Sequence, residues 1–134
     1  MPRSFVLRTL FITAGLLTAA GLLATASVQS PPGKVLRHIV LYKFKPEITP
    51  QQVQEVVEAF SALPRKIGGI LAFEHGTNVS RENKSEGFTH SFLVTFVDQD
   101  ALDKYLMNPA HEEYVKVVRD RREKVVVFDY WTDE

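Results

Sequence analysis

Not one of the 134 residues is cysteine, which rules out disulfide staples, thiolate zinc sites, a thiol nucleophile and a lipid-bearing cysteine. Any chemistry must therefore come from histidine, tyrosine and carboxylate side chains, and there are only 4 histidines. An excess of either charge is also missing, with 16 Lys+Arg against 16 Asp+Glu. The basic residues are scattered among acids. Their one tight group, Arg119, Arg121 and Arg122, is interrupted by Asp120 and followed by Glu123, as suits a solvated helix end whose cations favour the C-terminal dipole. Nucleic-acid binding is excluded on this pattern.

The longest uncharged run stands at the beginning. Arg3 and Arg8 precede Thr9 to Val28, rich in Leu and Ala, and Ala24-Thr25-Ala26 supplies small residues where a signal peptidase cuts. Residues 1–26 are read as a signal peptide, giving a secreted or periplasmic protein with no membrane attachment after cleavage. The alternative is an uncleaved N-terminal anchor, because about 20 apolar residues span a bilayer. Removing Arg3 and Arg8 leaves 14 cations against 16 anions, a net of −2. Residues 27–34, with two prolines and a glycine, read as a linker. Residues 35–134 then form one domain, small enough that burying a second surface in a homodimer would help it considerably.

Within that domain, Leu36, His38, Val40, Tyr42 and Phe44 share one face of a first strand, while Val35, Ile39 and Leu41 make the other face apolar as well. Such a strand belongs in the middle of a sheet covered on both sides, by helices on one and by a partner subunit on the other. Thr49-Pro-Gln-Gln52 starts an amphipathic helix ending near Pro64. Ile70 to Val79 reads as a second strand, with His75 at the surface, and Phe88 to Val97 as a third, with His90 in an otherwise apolar row. Asp98 or Asp100 caps a short helix carrying Tyr105. Asn108 caps another, with Pro109 at its first position, running to about Arg122, and Lys124 to Trp131 is the fourth strand. The order β-α-β-β-α-(α)-β most economically gives an α+β, ferredoxin-like unit with a four-stranded antiparallel sheet in the order 4-1-3-2.

Tyr105 and His111 flank the Asn108-Pro109 break, which allows a phenol to fold back toward an imidazole. The first turn of the helix disfavours imidazolium, so His111 should tend to stay neutral and able to accept a proton. The plainer alternative is that His111 bonds the cap and Tyr105 only packs. Topology brings the segment over the start of the first strand, where His38 sits. His38 is either a hydrogen-bonded core histidine or a residue facing a pocket, and the convergence of three polar groups favours the pocket. Val40 and Tyr42, on the same face, would line it, and His90 ranks below the others because it falls at the opposite end of the third strand.

His38-Ile-Val-Leu-Tyr-Lys-Phe-Lys45, Asn78-x-Ser with Gly87-Phe-Thr-His90, Tyr105 with Asn108-Pro-Ala-His111, and Val127-Phe-Asp-Tyr130 resemble the stress-responsive α/β-barrel (Dabb) domain family over roughly residues 35 to 131. The resemblance implies a dimeric α+β barrel built from two ferredoxin-like units joined sheet to sheet. It also points to a plant branch that closes linear polyketides by aldol condensation, with a His and a Tyr matching His111 and Tyr105 as base and orienting acid. His38 and His90 match further pocket histidines of that branch. Asn108 departs from it, standing where that branch can carry another His, and an export signal is at odds with a cytosolic supply of acyl thioesters.

Three readings follow. The domain is a dimeric module holding a small apolar or aromatic ligand, or a cofactor-free cyclase, lyase or isomerase, or an association module without a working site. Binding is favoured at this level. No cofactor or metal is implied, since His38 and His90 at opposite sheet ends are not a facial triad.

Overall fold

The computed structural model describes residues 30–134, so the segment read as a signal peptide lies outside the described residues. The elements are β1 (Lys34–Phe44), α1 (Pro50–Ser61), a 3₁₀ turn (Leu63–Arg65), β2 (Ile70–Thr77), β3 (His90–Phe96), α2 (Gln99–Leu106), α3 (Pro109–Arg119) and β4 (Arg122–Asp133). They form the expected ferredoxin-like arrangement, an antiparallel sheet ordered β2-β3-β1-β4 with the helices on one face.

Local chemistry sets the helix starts. At α1 the Gln52 N–H donates to Thr49 Oγ1 at 3.2 Å, and the Thr49 N–H donates to Gln52 Oε1 at 2.9 Å, a reciprocal capping box ahead of Pro50. Asp98 Oδ1 accepts from the Ala101 N–H at 2.7 Å and opens α2. Asn108 Oδ1 accepts from the Ala110 N–H at 2.9 Å and opens α3, with Pro109 at its first position.

Several element ends depart from the sequence reading. α3 stops at Arg119 rather than near Arg122, and β4 begins at Arg122 rather than Lys124, because Arg122 is already paired with Phe44 of β1. Long-range strand pairing has overridden the helix propensity of Arg, Glu and Lys in that stretch. β2 ends at Thr77, two residues short of Val79, where Asn78 turns the chain by accepting the Ser80 N–H at 2.9 Å. β1 starts at Lys34, the last residue read as linker.

β1 lies between β3 and β4, and its alternation decides what the helices cover. Leu36, Val40 and Tyr42 join Phe92, Val94 and Phe96 of β3 under Val56 and Phe60 of α1, Leu102 and Tyr105 of α2, and Tyr114 and Val118 of α3. Phe60 stacks on Phe92 with ring centroids 4.4 Å apart and planes within 17°, so α1 is seated on β3 by an aromatic pair. Gly69, at φ +84°, lets the chain enter β2 beneath α2. A Cβ there would lie 2.6 Å from the Ala101 Cβ, so both the conformation and the space require glycine.

The other face of the sheet carries Ile39, Leu41 and Leu93, all half-buried, and the exposed Val126, Phe128 and Tyr130, with Phe128 60% accessible. No helix among the described residues is long and apolar enough to cross a membrane.

Candidate active site

A cavity of about 180 Å³ lies between the β1–β4 half of the sheet and the α2–α3 pair. His38, Val40 and Tyr42 line it from β1, and Val125, Val127 and Asp129 from β4. Phe60 comes from α1, Tyr105 and Leu106 from α2, His111, Tyr114 and Val115 from α3, and Arg122 stands where β4 begins. Register explains the β1–β4 wall. His38 pairs with Asp129, Val40 with Val127 and Tyr42 with Val125, and directly opposed residues of antiparallel strands point to the same face. Val127 and Asp129 are exposed at the sheet edge, so the cavity opens to solvent there.

His38 is 4% accessible, and its Nδ1 lies 2.6 Å from Asp129 Oδ1. A carboxylate can only accept, so Nδ1 carries the hydrogen of this bond. The Tyr105 ring stands edge-on to His38 at 6.0 Å and lies 4.6 Å from the His111 ring, so the predicted meeting of Tyr105, His111 and His38 is present. The His111 side chain is not the cap of its helix, a role taken by Asn108. Burial lowers the His111 pKa from the ordinary histidine value. A backbone hydrogen bond toward Leu106 opposes that shift, and the proximity of His38 reinforces it.

Tyr105 is 1% accessible, and its hydroxyl has no hydrogen-bond partner among the described residues. Burial pushes its pKa upward, so the phenol keeps its proton and serves as a hydrogen-bond donor rather than as a phenolate. The Tyr42 and Tyr114 hydroxyls are hydrogen-bonded to each other at 2.7 Å in the buried part of the cavity.

Val40 and Tyr42 are lining residues, as read from the sequence. His90 stands apart. It pairs with Tyr42 at the far end of β3, packs edge-on against Phe44 at 5.2 Å, and lines a separate hollow with the 84–89 loop. The Phe60–Phe92 stack fills the space between α1 and β3, so the cavity develops on the β4 side instead. No three His, Asp or Glu side chains gather as a metal-ligand set among the described residues.

Sequence reasoning missed Asp129, Tyr114 and Arg122. Asp129 carried the same signal as His38, a polar residue in an alternating apolar row with Val125, Val127 and Trp131. Tyr114 follows His111 by three positions on the same helix face. Nothing local marks Arg122, whose inward position depends on an irregular strand register.

Residues 36–132 match the Stress responsive A/B Barrel Domain, Dabb. The chain belongs to this family. The Dabb domain is 35% identical over 95 residues to olivetolic acid cyclase of Cannabis sativa, covering 71% of this chain and 94% of that protein. It superposes on the hydroxynitrile lyase of Passiflora edulis with a TM-score of 0.72 and 25% identity, covering 77% of this chain and 97% of the other. A dimeric ferredoxin-like protein from Jannaschia sp. CCS1 is 30% identical, with a TM-score of 0.63 over 72% of this Dabb chain and 97% of its counterpart.

Because the folded state holds His111 at a lowered pKa, the unfolded chain binds more protons in the interval from that value up to the ordinary 6.5. The contribution of His111 to stability is complete above pH 6.5 and is lost as pH falls through its folded-state pKa. Titration of the histidine ring resonances by NMR should place the His111 midpoint below 6.5, and His111→Gln should flatten the fall in unfolding free energy between pH 6.5 and 5. A His111 midpoint at or above 6.5 would contradict this electrostatic picture.

Proposed function

We propose that the cavity is a cofactor-independent acid–base site for a small carbonyl compound or its adduct. Neutral His111 removes the proton, and the Tyr105 hydroxyl donates a hydrogen bond to the oxygen that gains negative charge. The supporting observation is the placement of a half-buried imidazole, its pKa lowered by burial, beside a buried phenol without a protein partner, in one cavity. Away from bulk water a fixed O–H donor stabilises an enolate or alkoxide more strongly than solvent does. His38, hydrogen-bonded to Asp129, offers a second proton-accepting nitrogen across the cavity, suited to returning or relaying the proton. The volume is near that of a cavity of about 150 Å³ that accepts benzene, so the reacting part of the substrate is about one ring in size.

Catalysis is preferred over simple binding because a ligand-holding pocket needs no depressed histidine. A purely associative role leaves the solvent-open cavity and its polar lining without a purpose. The named activities of two relatives, a cyclase and a lyase, agree in kind with this chemistry. We also propose that residues 1–26 direct export, and that a second copy covers the open sheet face, where Phe128 and its neighbours form an apolar surface too continuous to leave in water. The dimeric relative supports that pairing.

Turnover should be sought by chromatography with one-ring β-diketones, β-keto acids and aromatic hydroxynitriles. For an accepted compound, His111→Ala should lower kcat/KM by about 10²–10⁴, and Tyr105→Phe by about 10²–10³. A compound turned over equally well by wild type and both variants would refute the assignment. Native mass spectrometry of protein expressed from the full-length sequence should show a dimer whose subunits begin at Ser27, and Phe128→Asp should shift it to monomer. A monomeric wild type, or a subunit retaining residues 1–26, would overturn the corresponding proposal.

A further inference from the structure

The end of the cavity formed by Tyr42, Tyr114 and Arg122, farther along β1 and β4 from His38 and Asp129, has more hydrogen-bond donors than acceptors. The Tyr42 and Tyr114 hydroxyls share one mutual hydrogen bond, which leaves a second hydroxyl hydrogen to be placed. Beside them is Arg122, whose guanidinium only donates, is hydrogen-bonded to Tyr42 and acts by its charge on both tyrosines. Among the described residues no carboxylate lies within salt-bridge distance of Arg122. The acids around it are engaged elsewhere, Glu123 with Lys43 at 3.0 Å, Glu55 with Arg121 at 2.7 Å and Asp129 with His38 at 2.6 Å.

The backbone is arranged to bring this cation inward. Lys43 pairs with Lys124, but the next residue of β1, Phe44, pairs with Arg122, so Glu123 is an extra residue bulged out of the β4 ladder. Regular pairing would place Glu123 opposite Phe44 and aim a carboxylate at the helices. The bulge exchanges that anion for a guanidinium and releases Glu123 to Lys43. Bulges are over-represented next to active sites, where they re-aim a side chain.

We infer that the site takes a small carboxylate, a keto or aromatic acid whose anionic group is held by Arg122 with the Tyr42–Tyr114 hydroxyl pair, so that its reacting carbon is presented to Tyr105 and His111. This rests on the reading of the cavity as an acid–base site and adds the substrate's charge. Arg122 is here a specificity residue. It matches a planar carboxylate in geometry and sign, and the hydroxyl left over from the tyrosine pair supplies a further donor.

The test uses benzoate and benzamide, one ring each and nearly equal in shape, titrated calorimetrically against the full domain at neutral pH. Wild type should bind benzoate more tightly by about tenfold to a hundredfold, the range of a charge-assisted contact. Arg122→Gln should abolish the preference by weakening benzoate much more than benzamide, and Arg122→Lys should keep part of it. The preference kept by Arg122→Lys, together with thermal unfolding of both variants at the wild-type temperature, distinguishes loss of charge from loss of fold. Equal affinities in wild type, or a preference that survives Arg122→Gln, would overturn the carboxylate inference and leave the acid–base reading standing. Failure of both compounds to bind wild type would overturn the one-ring site itself and the inference with it.

Discussion

The hydrogen-bonded ladder between β1 and β4 holds His38 against Asp129, Val40 against Val127, Tyr42 against Val125 and Phe44 against Arg122, with every inward side chain on one face. A slip of one residue would turn that whole row outward and replace it with Val126, Phe128 and Tyr130, the residues now on the open face. The apolar majority of the row resists this, because Leu36, Val40 and Tyr42 are buried with the β3 aromatics under the helices. The polar members are held in place by the hydrophobic ones. His38 and Asp129 meet at 2.6 Å because the valines and leucines around them fix the register.

The helix layer completes the cavity through a second constraint, the break between α2 and α3. Met107 and Asn108 separate the two helices, and Asn108 caps the second through Ala110. The turn brings Tyr105 from the end of one helix to within 4.6 Å of His111 in the first turn of the next. Burial then acts oppositely on the two groups. It keeps the imidazole neutral and able to take a proton, and keeps the phenol protonated and able to donate. One environment thereby shifts the two groups in opposite directions.

Much of this could be read from the residues. The two-sided apolar pattern of β1 announced a central strand, Thr49-Pro50 and Asn108-Pro109 marked helix starts, and element order gave the strand order that joins His38 to the Tyr105–His111 segment. What escaped were features set by long-range pairing. The end of α3 and the start of β4 lie in a stretch whose local preference is helical, and the pairing of Arg122 with Phe44 decides it. The bulge at Glu123 leaves no composition signature, so Arg122 looked like a solvated helix end. Asp129 was legible by the rule applied to His38 and was passed over among the valines. His90 shared the apolar alternation of the pocket-facing strands, but it packs edge-on against Phe44 and lines a separate hollow with the 84–89 loop.

The central claim, proton abstraction by His111 with Tyr105 stabilising the oxyanion, is tested most directly by hydrogen–deuterium exchange at the α-carbon of a one-ring β-keto acid ester and its free acid, followed by NMR in D₂O. Enzyme-dependent exchange that disappears in His111→Gln and slows in Tyr105→Phe is the predicted result. Exchange at the uncatalysed rate with wild type, or exchange that persists in His111→Gln, would contradict it.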